Sequence, residues 1–199
     1  MPEKTAIRDR FRAVLDPVVL ALMKAGVPPM AVTVLGLGLG LAGAALIARG
    51  AFVAGGIFII VSGLCDTLDG SLARRAGKVS VFGAFVDSTI DRVSEIACYG
   101  AIIVYYAAHD GWNGFAVPLT IVALAGSLLT SYTRARAEGL GLECRVGILE
   151  RPERIALIVI GLLFGRIALF AMIAVLAALT IVTTAQRIVH VRRLTGRTE

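Results

Sequence analysis

Asp66, Asp69, Asp87 and Asp91 are four carboxylates in a chain that otherwise keeps charge out of its apolar stretches. The segment reads Asp66-Thr-Leu-Asp69-Gly70-Ser-Leu-Ala73-Arg74, then eight residues, then Gly83-Ala-Phe-Val-Asp87-Ser-Thr-Ile-Asp91. A carboxylate near hydrocarbon costs several kcal/mol unless it is paired, hydrated or metal-bound. The spacings are i,i+3 and i,i+4, so each pair lies on one face of its helix. Two such helix ends, joined by the basic turn Arg75-Ala-Gly77-Lys78, are expected to aim all four carboxylates at one point. Oxygen-rich clusters of this kind suit Mg²⁺, Mn²⁺ or Ca²⁺. One Asp at a helix end is ordinarily a cap or a solvated charge. Four at paired spacing, bracketed by apolar sequence, call for a cation.

A second polar region reads Ser131-Tyr132-Thr-Arg134-Ala-Arg136-Ala-Glu138-Gly139, then Gly147-Ile-Leu-Glu150-Arg151-Pro152-Glu153-Arg154. Arg187 enters the last apolar run from the same side. Arg134 and Arg187 fall at or inside expected helix ends, where a charge needs a partner. Guanidinium forks facing a carboxylate–metal cluster suit a phosphate ester.

These residues must be positioned by membrane helices. The 199 residues are 57% hydrophobic and 17% charged, with mean hydropathy +0.84. A soluble domain is roughly 45–50% apolar and about 25% charged. At about 20 apolar residues per span, the length allows six transmembrane helices, expected at roughly 29–48, 52–73, 80–108, 115–137, 153–168 and 170–190. One membrane domain covers 1–199, with no soluble domain. Residues 3–24 read as an interfacial amphipathic helix, because Ile7, Phe11, Val14, Val18 and Leu22 recur at helical spacing among charged residues. The N-terminal residues lack the long apolar core of a cleavable signal.

Glycines 36, 38, 40 and 43 in the first span read as close-packing positions. Tyr105, Tyr106 and Trp112 read as interface anchors, and Gly165-Arg166 as a tight turn between the last two spans. Cys65, Cys98 and Cys144 show neither metal-site spacing nor a disulfide framework.

The net charge is +6, and its distribution follows topology. With loops assigned alternately, one side collects Lys24, Arg74, Arg75, Lys78, Arg134, Arg151 and most other basic residues; the other has only Arg49 and Arg166. The basic side, with both termini and all four aspartates, is therefore expected in the cytoplasm of a multi-pass membrane protein. It would attract anionic lipid and phosphorylated substrates. No contiguous basic patch argues for nucleic acid. A divalent-cation transporter is the other function class with such a carboxylate site. Carboxylates near the cytoplasmic helix ends argue against it, since transporter sites usually sit near the midplane.

The aspartate segment resembles the signature of the CDP-alcohol phosphotransferase (CDP-alcohol phosphatidyltransferase) family, D-x₂-D-G-x₂-A-R-x₈-G-x₃-D-x₃-D. All eight fixed positions match over 26 residues, from Asp66 to Asp91. The resemblance implies a homodimeric membrane enzyme that moves a phosphatidyl-type group from a CDP-activated lipid to an alcohol and releases CMP. It implies two divalent ions, Mg²⁺ or Mn²⁺, held by Asp66, Asp69, Asp87 and Asp91. Asp91 would also be the general base on the acceptor hydroxyl. Thr33, Asp69, Gly70, Ala73 and Arg74 would border the CDP moiety. Met30 stands where the family carries Asn or Asp, a departure that removes one side-chain contact.

The Ser131–Glu138 and Glu150–Arg154 stretches resemble the branch whose acceptor is inositol 1-phosphate. That branch makes phosphatidylinositol phosphate or archaetidylinositol phosphate. By this resemblance Arg134, Arg154 and Arg187 would clasp the acceptor phosphate. Glycerol 3-phosphate, which gives phosphatidylglycerol phosphate, is the alternative acceptor, because the same clasp would hold its phosphate.

Overall fold

The structure is a computed structural model that describes residues 15–109 and 114–196. Most of the amphipathic segment expected at 3–24, and Trp112, lie outside the described residues. Residues 15–24 are helical (α1). Six further helices follow among the described residues: α2 (Pro29–Ala48), α3 (Phe52–Arg75), α4 (Val81–Ala108), α5 (Ala116–Gly139), α6 (Arg151–Leu163) and α7 (Arg166–Thr195). No strand occurs among them.

Local chemistry sets the boundaries. Pro29 opens α2, where its missing N–H costs nothing. The Ser80 hydroxyl caps α4 by accepting the Gly83 N–H at 3.0 Å. Glu150 and Glu153 form a reciprocal capping box around Arg151-Pro152 at the start of α6. Gly165, at φ 90°, takes the left-handed turn that separates α6 from α7.

Four helices, α2, α3, α5 and α7, are long and apolar enough to cross a membrane. The expected fifth span, 153–168, is instead the 13-residue α6, and the last helix runs from Arg166 to Thr195, not 170–190. The capping box starts α6 early and Gly165 ends it early. Thirteen residues span roughly 20 Å, short of a bilayer core of about 30 Å. Helix α4 has 28 residues but carries Asp87, Asp91, Arg92 and Glu95.

Six helices close into a ring. α2 packs on α3 and α4, α4 on α5, α5 on α7, α7 on α6, and α6 returns to α3. Small residues permit the tightest approaches. A Cβ at Gly36 would lie 2.9 Å from Cys65 Cβ, and one at Gly43 would lie 2.9 Å from Phe58 Cβ. Gly38 meets nothing within 4 Å, so close packing accounts for its neighbours but not for it. Exposed Val34, Leu35, Phe82, Phe85 and Ile188 lie on the outside of the ring. Such a surface suits lipid and would be an aggregation patch in water. The chain is an all-α membrane protein.

Buried residues divide the ring into two halves. Ile47, Tyr99, Ile102, Leu162, Leu169 and Ile173 fill one half with hydrocarbon. The other half lies at the C-terminal ends of α3, α5 and α7 and the N-terminal ends of α4 and α6, and it carries the charge. Over it, α1 buries Val19 against Val32, Cys65 and Leu72. Asp16 pairs with Arg75 at 2.6 Å, tying α1 to the end of α3.

Candidate active site

The aspartates lie six to ten residues inside α3 and α4, not at the helix ends, because α3 continues to Arg75 and α4 starts at Val81. Both helices pack on α2, which brings Asp66 and Asp69 of α3 to the same site as Asp87 and Asp91 of α4. Asp66, Asp69 and Asp87 each offer an oxygen within 4.8 Å of the others. Asp91 is not in that cluster. Its Oδ1 lies 2.7 Å from Arg151 Nη1 and its Oδ2 lies 3.4 Å from Arg92 Nη2. Three of the four carboxylates therefore converge, and the fourth sits beside them on two guanidiniums.

Asp69 is 5% exposed, and its Oδ2 is buried with no hydrogen-bond partner among the described residues. An orphaned carboxylate oxygen in a set of oxygen donors fits a hard divalent ion. Thr33, Asp66, Asp69, Asp91 and Arg151 line one pocket, with Ser62 and Ser94 deeper in. Thr33 Oγ1 donates to Pro29 O at 3.2 Å. Gly70 and Ala73 lie one turn beyond Asp66 and Asp69 on the same face of α3. A Cβ at Gly70 would sit 3.4 Å from Arg74 Nη1, so the glycine keeps backbone open beside that guanidinium.

Arg134, Arg154 and Arg187, from α5, α6 and α7, line a second pocket together with Arg92, Ser131, Glu150 and Arg151. Each is held differently. Arg134 Nε donates to Glu138 Oε1 at 2.9 Å, and its Nη1 lies 3.8 Å from Glu150, on a half-exposed surface. Arg154 is 1% exposed; its Nε and Nη2 both reach Glu95 Oε1 at 3.0 Å, and Nη2 also donates to Ser131 Oγ. Arg187 is 3% exposed and donates to two backbone carbonyls, Val146 O at 2.9 Å and Thr130 O. No carboxylate neutralises it at contact distance among the described residues. A wider groove on the outer face of α7, between Ile148, Ile181, Val182 and Val189, has no acidic residue in its lining and is mostly apolar, with Gln186, His190 and Arg193 as its polar residues.

Two residues were given no site role in the sequence reading. Glu95, 8% exposed, accepts from Arg154 and from Ser127 Oγ at 3.0 Å, and Tyr99 OH lies 3.3 Å from Ser127 Oγ. The signal was available: an acid in mid-span requires a partner. Arg151 Nη1 bridges Asp66 Oδ2 at 3.0 Å and Asp91 Oδ1 at 2.7 Å. Its signal was subtler, a cation at the first position of a helix, where the macrodipole disfavours positive charge.

The sequence model of the CDP-alcohol phosphatidyltransferase family matches residues 26–191. The chain is 40% identical over 189 residues to archaetidylinositol phosphate synthase of Methanothermobacter thermautotrophicus, covering 92% of this chain and 91% of the relative. Among solved structures it is similar to Mycobacterium tuberculosis phosphatidylinositol phosphate synthase with CDP-DAG bound, at TM-score 0.80 and 33% identity over 88% of this chain and 92% of that one. The same enzyme in complex with manganese and citrate gives a TM-score of 0.81 at 33% identity, covering 88% of this chain and 87% of that one.

Proposed function

The chain belongs to the CDP-alcohol phosphatidyltransferase family, and from that premise we propose that it transfers a phosphatidyl-type group from a CDP-activated lipid to myo-inositol 1-phosphate, releasing CMP. The donor is CDP-diacylglycerol or CDP-archaeol. The observation that carries this reading is the adjacency of two pockets of opposite charge. One holds converging aspartates, the other three arginines on separate helices, and Arg151 walls both. A phosphorylated acceptor needs the second pocket; a neutral alcohol does not.

Asp66, Asp69, Asp87 and Asp91 hold two divalent ions, Mg²⁺ or Mn²⁺. When bound, these ions screen the diphosphate and stabilise charge on the leaving CMP. Thr33, Asp69, Gly70, Ala73 and Arg74 border the CDP moiety, and the bare backbone at Gly70 gives the nucleotide room. Arg134, Arg154 and Arg187 bind the acceptor phosphate and so orient the hydroxyl toward Asp91. Asp91 stands outside the three-carboxylate cluster, on the side of the arginine pocket, where a general base is wanted. The excess of Arg over Lys among these residues favours forked recognition of a phosphate.

The chain is one membrane domain over 1–199 with six crossings, and α1 (residues 15–24) lies at the interface. Helix α4 crosses because Asp87, Asp91 and Glu95 turn into the ring. Helix α6 is short because its N-terminus opens inside the cytoplasmic half of the bilayer, at the acceptor pocket. Both termini and the site face the cytoplasm, a reading supported by the basic loops. The protein works as a homodimer.

The test is transfer from radiolabelled CDP-lipid to a panel of acceptors, with CMP and the lipid product identified. Inositol 1-phosphate should be the substrate with the highest kcat/KM. A higher value for glycerol 3-phosphate would overturn the choice of acceptor.

A further inference from the structure

Arg151 belongs to neither pocket alone: it lines the aspartate pocket and the arginine pocket. One of its nitrogens, Nη1, holds an oxygen of Asp66 at 3.0 Å and an oxygen of Asp91 at 2.7 Å. Its Nε is buried and has no hydrogen-bond partner among the described residues. A single guanidinium thus occupies two of the four signature carboxylates while leaving part of its donor fork unused. A divalent ion taken up by Asp66 or Asp91 meets this fixed cation within a few ångströms, and like charges that close repel strongly. Either the ion binds weakly or Arg151 yields. It is free to yield, because it is the first residue of α6 and its side chain can change rotamer without disturbing the helix. On the other side of the wall lie Arg134, Arg154 and Arg187.

We propose that Arg151 competes with divalent ions for Asp66 and Asp91 and, once displaced, adds its guanidinium to the arginine pocket as a fourth contact for the acceptor phosphate. Metal and acceptor phosphate then bind cooperatively, each relieving the cost the other would meet. The inference rests on the metal and phosphate roles given under Proposed function. Its consequence is order: a site without metal keeps Arg151 on the base Asp91, and the acceptor is gripped fully only where the ions are present. Linkage makes the effect reciprocal, since metal tightens phosphate by the same factor that phosphate tightens metal.

The test measures Mn²⁺ binding to the purified protein in lipid nanodiscs, without CDP-lipid, by electron paramagnetic resonance of the free ion. In the wild type, saturating myo-inositol 1-phosphate should lower the Mn²⁺ Kd about fivefold or more, the lower range of ordinary allosteric coupling. Arg151→Gln should bind Mn²⁺ tighter than wild type by a similar factor, and inositol 1-phosphate should then add little. A variant that is merely damaged would bind more weakly. Arg151→Lys keeps the charge and should stay near the wild-type Mn²⁺ Kd. A wild-type Mn²⁺ Kd unaffected by inositol 1-phosphate overturns the proposal without recourse to any variant. So does folded Arg151→Gln that binds Mn²⁺ no tighter than wild type. Asp69→Asn separates the levels: if it retains wild-type Mn²⁺ binding, the metal reading itself fails. If it loses the ion while the wild type shows no coupling, only the role of Arg151 fails.

Discussion

In the aspartate pocket, Asp69 Oδ2 is buried without a hydrogen-bond partner among the described residues, and Asp66, Asp69 and Asp87 each offer an oxygen within 4.8 Å of the others. In the arginine pocket, each of the three guanidiniums has an acceptor from the protein. The first region is short of positive charge and waits for a cation from outside. The second is largely satisfied, so a phosphate must compete with protein acceptors for each arginine. The competitors are unequal. Glu138 and Glu150 hold Arg134 at a half-exposed surface, where ion pairs contribute little. Glu95 holds Arg154 in a buried network. Arg187 is held by neutral carbonyls and keeps its full charge for a ligand. The pocket that lacks charge should fail completely when altered; the one with competing acceptors should fail by degrees.

The sharpest way to break this contrast is to remove one acid. Asp66→Asn, Asp69→Asn and Asp87→Asn should each abolish transfer and Mn²⁺ binding while the protein still inserts. Chelator should do the same to the wild type, with activity returning on Mg²⁺ or Mn²⁺; full turnover without metal would contradict the reading. Asp91→Asn should differ. It should lose about 10²- to 10⁴-fold in kcat, the worth of a general base, yet retain much of the Mn²⁺ binding.

On the arginine side the effects are smaller and graded. Arg187→Ala should raise the acceptor KM about ten- to a hundredfold, the equivalent of losing roughly 1.5–3 kcal/mol of charged hydrogen bonding. Arg134→Ala should raise it less. The CDP-lipid KM should barely move in either. Arg154→Ala is a separate case, because it strands Glu95 in the interior. A broken buried pair costs about 3–5 kcal/mol, which should appear as a lower Tm. Pairing it with Glu95→Gln should restore much of the Tm but not the acceptor KM. The mildest expected change is Gly70→Ala. Its Cβ would meet Arg74 Nη1 at 3.4 Å, a contact that side chain can relieve. The CDP-lipid KM should rise a few-fold, with the acceptor KM unchanged.

The two pockets were also unequally legible in the sequence. The aspartates stood out because carboxylates at paired helical spacing have no reason to sit in apolar sequence, and Asp66, Asp69 and Asp87 do converge. The separation of Asp91 was not legible. It depends on Arg151, which lies 60 residues away in sequence and reaches it only when α6 closes the ring. Arg134, Arg154 and Arg187 were found by spacing and resemblance, but their partners were not, because Glu95, Thr130 and Val146 are set by how α4, α5 and the 140–150 connection pack. Helix existence followed from hydropathy, with four runs long and apolar enough to span. Boundaries followed capping chemistry: the Glu150/Glu153 box starts α6 before the expected 153 and Gly165 ends it before the expected 168, in a way that apolar content alone does not report.

The central claim is that the arginine pocket exists to hold the phosphate of inositol 1-phosphate while the aspartate pocket works on the CDP-lipid. The most direct measurement is a competition between myo-inositol 1-phosphate, glycerol 3-phosphate and free myo-inositol for one radiolabelled CDP-lipid. It is run on wild type and on Arg134→Ala and Arg187→Ala. Inositol 1-phosphate should win by kcat/KM on the wild type, free inositol should be poor throughout, and the two variants should narrow the gap between phosphorylated and free inositol. A wild type that prefers glycerol 3-phosphate, or variants whose only loss is in CDP-lipid KM, would contradict the account.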